Sequence, residues 1–315
     1  MGRRLAKLVG PVERALWPRS PVILIYHRVA PTEGDIWGLA VDADRFAEQI
    51  EALKRVREVV PLDEIVDPGS ARRSGRPLAA VTFDDGYHDA YTAARPILER
   101  FDCPATVYVA SGLVDAKKEF WWDELARIFL ELPSLPASLA VAFGGPAETL
   151  QVPADPAGRR GVCARVRRRL RGLAPSEIDE RISELCAWAG TTRTLRPDNR
   201  AMTGEEVGKL SEGLVTIGAH TIAHASLPAL SLADQQREMQ ASRSACEAWT
   251  GKPVRHFAYP FGHYDASSLK AVSAAGFVSS CATTPGVVRP WTDRRRLPRL
   301  SPGRRDGEAL VRMLA

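Results

Sequence analysis

Short apolar runs alternate with amphipathic stretches along both ends of this chain. The runs Val22–Tyr26 and Ala79–Phe83 are rich in branched and aromatic residues, which is typical of buried strands. Residues 44–55 repeat apolar side chains at helical spacing, which predicts a helix between them. This order favours a parallel sheet with helices outside, an α/β fold. The same patterns predict strands at residues 105–109, 215–219, 256–259 and 277–282 and helices at residues 90–101, 231–249 and 266–275.

The regular alternation stops after Ser111. Residues 121–130 and 178–189 have helical patterns, and prolines and glycines punctuate two short apolar segments between them. We therefore expect residues 113–200 to form an α-rich insertion above or beside the main domain. The predicted main domain and the basic segment before it comprise residues 21–112 with 201–315, and residues 1–20.

The composition limits the partners that this chain can have. The 43 Lys and Arg residues exceed the 38 Asp and Glu residues by a net charge of only +5. No nucleic-acid-binding motif accompanies this excess, so we expect no nucleic acid partner. The five cysteines follow no disulfide or metal-binding spacing, which favours a reducing compartment.

Part of the positive charge is concentrated inside the predicted insertion. Such a cluster could contact an anionic glycan or a lipid phosphate. A solvated helix face is the interpretation that we favour from the sequence. The cluster consists of Arg165, Arg167, Arg168, Arg169 and Arg171.

The first residues of the chain contain the candidates for a segment that could span or contact a membrane. The longest early apolar run, Pro21–Tyr26, is too short for a transmembrane helix or for the core of a signal peptide. We therefore expect a cytoplasmic protein. Residues 1–20 are basic and weakly amphipathic, and as a helix they could make peripheral contact with the inner face of the membrane. A docked or frayed terminal helix is the alternative.

Acidic and imidazole side chains follow two of the predicted strands. Asp84 and Asp85 end one strand, and Gly86 permits a sharp turn there. His220 ends a later strand, and His224 follows in the next turn of chain. Either motif alone is usually a turn or a pair of surface histidines. Together they offer one carboxylate and two imidazoles, a ligand set that leaves room for water at a catalytic divalent metal.

Three segments resemble the signatures of one enzyme family. Thr82–Gly86 resembles the first signature of the polysaccharide deacetylases, also called the NodB homology domain or carbohydrate esterase family 4. His220–His224 resembles the second signature, and Phe257–Gly262 resembles the third in altered form. The resemblance implies a deformed (β/α)7-type barrel and metal-dependent removal of N- or O-acetyl groups from sugars.

The resemblance also implies roles for individual residues. Asp85, His220 and His224 would bind the metal, and Asp84 would be the general base that takes a proton from water. The backbone N–H of Phe261 would stabilise the oxyanion. One Asp with two His suits zinc first, with iron, cobalt or nickel as alternatives. Sugar contacts are expected from Tyr87, Tyr259, Pro260 and Gly262, and Trp121 and Trp122 either stack on the sugar or pack in the core.

Two positions depart from the family pattern. Ala258 occupies the place where many relatives have an Arg that orients the base, and Arg255 is out of register with that place. No histidine follows His263, so the late His that protonates the leaving amine in many relatives is missing. His27, in an early Tyr-His pair, is our candidate for this acid. The arrangement resembles the branch of the family that acts on biofilm poly-N-acetylglucosamine.

These observations lead to three hypotheses about function. The first is a metal-dependent hydrolase that removes N-acetyl groups from amino sugars of a cell-envelope polysaccharide, oligosaccharide or glycolipid. The second is a catalytically decayed carbohydrate-binding protein on the same fold, because the Arg and the late His are missing. The third is a deacylase of a non-sugar amide or an O-acetyl ester, which the same ligand set would allow.

Overall fold

The computed structural model describes residues 19–67 and 75–315. The predicted N-terminal helix falls almost entirely before this part of the chain. Its membrane contact and the predicted cytoplasmic location therefore stay predictions. Within the two described ranges, no helix combines the length and the apolar character needed to cross a bilayer.

Seven parallel strands form one curled sheet in the described part of the chain. In chain order, the strands are β1 (Val22–Tyr26), β2 (Arg28–Val29), β3 (Ala40–Val41), β4 (Glu58–Val59), β5 (Leu78–Phe83), β6 (Ala105–Val109), β7 (Ser138–Val141), β8 (Glu148–Gln151), β9 (Val215–Ala219), β10 (His256–Ala258) and β11 (Ser279–Cys281). The large sheet has the order β1-β5-β6-β9-β10-β11, and β4 pairs with the start of β5. The predicted parallel sheet is confirmed, although β10 and β11 are shorter than predicted.

A segment without regular strand structure, residues 297–300, joins the two edges of this sheet. Leu300 pairs in parallel with Leu24 of β1, and Leu297 pairs in parallel with Cys281 of β11. The segment therefore closes the sheet into a barrel. The sequence pattern did not predict it, because so few residues carry too little periodicity to indicate a strand.

Helices cover the outside of the sheet. In chain order, they are α1 (Ala43–Val56), α2 (Leu62–Val66), α3 (Arg95–Arg100), α4 (Trp121–Leu130), α5 (Pro156–Leu170), α6 (Pro175–Trp188), α7 (Gly204–Leu210), α8 (Leu232–Thr250), α9 (Ala266–Ala274) and α10 (Gly307–Leu314). Apolar side chains of α1, α8, α9 and α10 pack in one core with the strands. The curled parallel sheet with its surrounding helices confirms the predicted α/β barrel fold.

The chain between β6 and β9 builds a second hydrophobic core beside the barrel. Helix α4 lies at its centre, and α5, α6 and the antiparallel β7–β8 hairpin contribute apolar side chains around it. After α6, Arg193 and Arg196 form ion pairs with Glu124 and Glu119, whose side chains are fully buried. This region contains the predicted insertion, residues 113–200, and its status as a separate unit stays a prediction.

Candidate active site

The carboxyl ends of neighbouring parallel strands bring the predicted functional residues together. His27 follows β1, Asp84 and Asp85 follow β5, and His220 follows β9. Asp84 N–H donates to Tyr26 O over 3.0 Å, which extends the pairing of β1 with β5 by one residue. The sheet backbone therefore fixes the position from which each of these side chains leaves its strand.

The chain turns at Asp85, directly after β5. Asp85 has φ 75° and Gly86 has φ 84°, both in the left-handed region. A Cβ at Gly86 would lie 3.2 Å from Val109 Cγ1, so glycine is favoured at this position. Successive strand residues point to opposite faces, but this kink lets Asp84 and Asp85 border the same cavity. The kink that we expected at Gly86 begins one residue earlier.

Non-glycine residues with a positive φ, a strained backbone conformation, are concentrated in the three signature segments. Each such conformation costs about 1–3 kcal/mol and persists where the surroundings enforce it. The buried carboxylate of Glu238 in α8 holds the backbone before His224 in place. It accepts hydrogen bonds from Ile222 N–H at 2.8 Å and from Ala223 N–H at 3.0 Å. Among the six non-glycine residues of the described chain that have a positive φ, the signature segments contain Asp85, Thr221, His224 and Phe261.

Asp85, His220 and His224 form a compact, buried cluster of three donor atoms. Asp85 Oδ1 lies 3.4 Å from His220 Nε2 and 3.1 Å from His224 Nε2. One ligand atom of each residue lies within 4.8 Å of the others. A tetrahedral ion whose ligands are about 2.0–2.1 Å away would separate its donor atoms by about 3.3 Å. The donor types and their spacing therefore fit a divalent metal.

Hydrogen bonds and burial keep these side chains in the forms that bind a cation. His220 Nδ1 donates to Ala258 O over 2.8 Å, because a carbonyl oxygen only accepts, and this leaves Nε2 toward Asp85. Burial lowers the pKa of His224 although Asp85 opposes the shift, which favours the neutral imidazole. Burial would raise the pKa of Asp85, but the contacts with the two imidazoles hold that pKa well below its usual range. These forms match what a metal ligand requires.

Asp84 has a buried partner that the sequence analysis did not identify. Arg299 Nη1 and Nη2 donate to Asp84 Oδ1 and Oδ2, each over 2.7 Å. Arg299 and Asp84 are 1% and 3% exposed. Burial would raise the pKa of Asp84, but the positive charge of Arg299 lowers it overall. Arg299 thus supplies the guanidinium that Ala258 cannot, whereas Arg255 lies 3.5 Å from Asp63 before the start of β10.

A cavity of about 190 Å³ opens at the three-donor cluster. His27, Asp84 and Phe261 border it, so the predicted acid, base and oxyanion residue face the same space as the predicted ligands. The Phe261 ring centroid lies 4.5 Å from that of His224, and the Trp122 centroid lies 4.6 Å from it on the cavity wall. The geometry brings these groups together, and their chemical roles stay predictions.

The side chains of Tyr87 and Tyr259, two predicted sugar contacts, do not border the cavity. Both residues are fully buried, at 0% exposed. Tyr87 Oη donates to Asp123 Oδ2 over 2.6 Å, and Tyr259 Oη donates to Arg295 O over 2.7 Å. Each hydroxyl is therefore satisfied inside the protein. A motif resemblance identifies a segment, but it does not tell which of its side chains face the cavity.

Pro260 and Gly262, the other two predicted sugar contacts, shape a turn and do not border the cavity. Pro260 is buried. Gly262 has φ 70°, and a Cβ there would lie only 2.0 Å from Thr283 Oγ1. The lack of a side chain at Gly262 therefore lets the turn fit against Thr283. The turn gives Phe261 a φ of 58° and places this residue at the border of the cavity.

Comparison with known proteins agrees with the three signatures. The family model described as polysaccharide deacetylase matches residues 71–131 and 195–279. The chain belongs to the polysaccharide deacetylase family. The matched ranges contain strands β5, β6, β9 and β10 with Asp84, Asp85, His220, His224 and Phe261. They omit residues 132–194.

Two relatives are similar to this chain over part of their length. Poly-beta-1,6-N-acetyl-D-glucosamine N-deacetylase of Escherichia coli (strain K12) is 32% identical over 117 residues, which cover 35% of this chain and 17% of that protein. YxkH of Bacillus subtilis (strain 168) is 29% identical over 87 residues, which cover 28% of this chain and 31% of that protein. The chain therefore matches less than a third of the length of either relative.

Solved structures extend the similarity to the whole fold. The Streptococcus pyogenes deacetylase PplD, solved in complex with acetate, superimposes with a TM-score of 0.62 and 17% sequence identity. The match covers 94% of this chain and 98% of PplD. At this level of identity the likeness establishes the fold alone.

Proposed function

We propose that this protein is a metal-dependent hydrolase that removes N-acetyl groups from amino sugars of a polysaccharide, oligosaccharide or glycolipid. The cluster of Asp85, His220 and His224 beside the buried pair of Asp84 with Arg299 carries the proposal. Membership of the polysaccharide deacetylase family supports hydrolysis of a non-peptide carbon–nitrogen bond. The Escherichia coli relative supports a polymer of N-acetylglucosamine as one candidate substrate.

Asp85, His220 and His224 are the residues that would hold the metal. When bound, a divalent cation, zinc first and iron, cobalt or nickel as alternatives, supplies Lewis acidity to the acyl oxygen and to water. The carbonyl of Ala258 orients the ring of His220 through its Nδ1 proton. Glu238 holds the turn before His224 through two backbone hydrogen bonds. These hydrogen bonds thus fix the positions of both imidazoles.

Asp84 would take the proton from the attacking water. Arg299 contacts both oxygens of this carboxylate and lowers its pKa against the effect of burial, so Asp84 is ionised at neutral pH. Burial opposes the charge of Arg299, but Asp84 raises the pKa of the guanidinium overall. Arg299 therefore remains a cation and acts as a positioning residue, because it contacts Asp84 and does not border the cavity.

His27 would give a proton to the leaving amine, and the backbone N–H of Phe261 would stabilise the developing oxyanion. Both residues border the same cavity as Asp84. An imidazole can donate a proton near neutral pH, and a fixed backbone N–H can stabilise negative charge on oxygen. These two assignments follow the family resemblance and the shared cavity.

The alternative of a decayed carbohydrate-binding protein has less support. It arose because the Arg that orients the base in many relatives and the late His are both missing. Arg299 provides a guanidinium at Asp84 from another part of the chain, so the first of these two reasons no longer holds. The remaining alternative is a deacylase of a non-sugar amide or an O-acetyl ester. A comparison of N-acetyl, O-acetyl and non-sugar amide substrates distinguishes it from the proposed N-deacetylase.

The decisive experiment measures acetate release from N-acetylglucosamine oligomers, an O-acetylated sugar and a non-sugar acetamide. We expect release from the N-acetyl sugars, loss of release after chelation, and recovery after zinc is added back. The metal content of the purified protein is measured in parallel. Equal acetate release by metal-free protein would contradict the mechanism. Stoichiometric metal without release from any N-acetyl sugar would contradict the reaction.

A further inference from the structure

The arginine cluster at the C-terminal end of helix α5 divides into two groups with different surroundings. Arg165 and Arg169 lie 2.6 Å and 3.1 Å from the Glu148 carboxylate of the β7–β8 hairpin, and both side chains are 52% exposed. Arg167 and Arg171, four residues apart, share another face and border the candidate cavity. The predicted solvated helix face therefore accounts for only part of this cluster.

Aromatic rings and a histidine hold the two cavity arginines in place. The Arg167 guanidinium lies 4.2 Å from the ring centroid of Trp37. The Arg171 guanidinium lies 4.3 Å from the ring centroid of Phe261, and its Nη2 lies 3.1 Å from His263 Nε2. His263 Nδ1 in turn lies 3.1 Å from Ser226 Oγ. Such contacts orient a guanidinium.

Among the described residues, the positive charge at the cavity exceeds the negative charge that faces it. Arg299 neutralises Asp84, so Asp85 is the acid that remains among the described residues lining the cavity. Burial lowers the pKa of Arg167 although nearby acids oppose the shift, and its buried Nε has no hydrogen-bond partner in the described part of the chain. A half-buried cation of this kind is stabilised when an anion binds. A metal held by Asp85 would increase the positive excess.

We propose that Arg167 and Arg171 form an oxyanion subsite, and that the substrate is an acetylated amino sugar with a carboxylate or phosphate close to its N-acetyl group. This inference rests on the proposed function, because it places the oxyanion beside the group that is hydrolysed. Guanidinium groups bind both kinds of oxyanion through paired N–H donors.

The size of the cavity agrees with recognition of one end of the substrate. Its volume of about 190 Å³ is below the about 300–1,000 Å³ of typical ligand pockets. The acetamido group and the neighbouring oxyanion would therefore occupy the cavity, and the rest of a glycan or glycolipid would extend outside it. Helix α5 lies within the residues that the family model omits, so the subsite is a feature of this chain's own helical segment.

The test is calorimetric binding to metal-free protein, which does not depend on turnover. The probes are N-acetylglucosamine, its 1-phosphate, its 6-phosphate and N-acetylmuramic acid, which differ in the kind and place of the oxyanion. We expect at least one anionic sugar to bind about tenfold or more tightly than N-acetylglucosamine, as a hydrogen bond to a charged group provides. Comparison of the phosphates with N-acetylmuramic acid identifies the preferred oxyanion.

Variants of α5 assign the preference to the two arginines. The double variant Arg167→Met with Arg171→Met should bind anionic and neutral sugars equally, and Arg167→Lys should retain part of the preference. Arg168→Met is the matched control, because Arg168 is exposed on the same helix and does not border the cavity. It should retain the full preference. Melting temperatures confirm that each variant is folded.

The outcomes separate this inference from the proposed function. Equal binding of all four sugars by the unaltered protein would overturn the oxyanion subsite, even if acetate is released from neutral oligomers. An equal loss of preference in the Arg168→Met control would also overturn it, because overall helix charge would then be the cause. A preference that depends on Arg167 and Arg171, without acetate release from any sugar, would support the subsite and contradict the proposed function.

Discussion

Two regions of the molecule meet at the candidate cavity, and they contribute different kinds of group. The barrel contributes carboxylates and imidazoles at the ends of β5 and β9. The helical segment between β6 and β9 contributes Trp122, Arg167 and Arg171. The family model covers β5 and β9 and omits most of the helical segment. Under the two proposals above, the barrel would carry the reaction and the helical segment would select the substrate.

Two sets of ion pairs near the cavity differ in their burial. Arg299 and Asp84 in the barrel are buried and joined through two hydrogen bonds. In the helical segment, Glu148 meets two arginines whose side chains are half exposed. Removing one partner of a buried pair typically costs about 3–5 kcal/mol, whereas an exposed pair contributes about 0–1 kcal/mol. Substitutions at the pair of Asp84 with Arg299 should therefore have larger effects than substitutions at Glu148.

The largest effect is expected at Asp84. Asp84→Asn keeps the size of the side chain but removes the proton acceptor, so kcat should fall by about 10²–10⁴-fold. The metal content should remain stoichiometric, because the three donor residues are unchanged. Asp44→Asn, at an exposed acid of α1, is the control and should keep its kcat. Full activity of Asp84→Asn would mean that another group takes the proton.

A smaller effect is expected from Arg299→Lys, which keeps a positive charge but loses the two-point contact with Asp84. Burial raises the pKa of Asp84 and Arg299 lowers it, so a weaker contact should raise that pKa. Asp84 accepts a proton only when it is ionised. The acid limb of the kcat/KM profile should therefore move to higher pH, by up to about 1–3 units.

The control for Arg299→Lys is Arg295→Lys. Arg295 is half exposed and pairs with Asp293 close to the segment that closes the barrel. Its replacement should leave the pH profile unchanged. An unshifted profile in folded Arg299→Lys protein would show that Arg299 has a structural role only, and that the pKa of Asp84 is set by other groups.

The smallest effect is expected from Glu148→Gln in the helical segment. This change removes the carboxylate that pairs with Arg165 and Arg169, but all three side chains reach solvent. The melting temperature should change by no more than about 2 °C. The preference for anionic sugars should be retained, because Arg167 and Arg171 are untouched. A large loss of that preference would mean that the exposed arginines also act on the substrate.

Much of the barrel could be predicted from the sequence because its signals are local. A buried strand needs a continuous apolar run, and Val22–Tyr26 and Val215–Ala219 show this directly. Asp85 follows the end of β5, and His220 and His224 follow the end of β9. Parallel strands bring such ends to one edge of a sheet. Asp85, His220 and His224 therefore could be predicted to meet, although more than a hundred residues separate the first from the second.

Other parts of the site could not be predicted because their signals are not local. A buried carboxylate at Asp84 requires a cation, but 43 Lys and Arg residues could have provided it. Arg299 lies on a segment that has no strand pattern. Tyr87 directly follows the first signature and has an aromatic ring, and both features favour sugar contact. Packing nevertheless places it in the second core. Contact with the cavity depends on how distant segments pack.

The sequence alone determined the order of strands and helices, the three donor residues and the acid next to them. Apolar periodicity and strand ends are properties of neighbouring residues, so they can be read along the chain. Only the tertiary structure decided that Arg299 pairs with Asp84 and that Arg167 and Arg171 face the cavity while Arg165 and Arg169 face Glu148. The physical reason is that a long charged side chain fits many surroundings, and its partner is set by the packing of segments far apart in sequence.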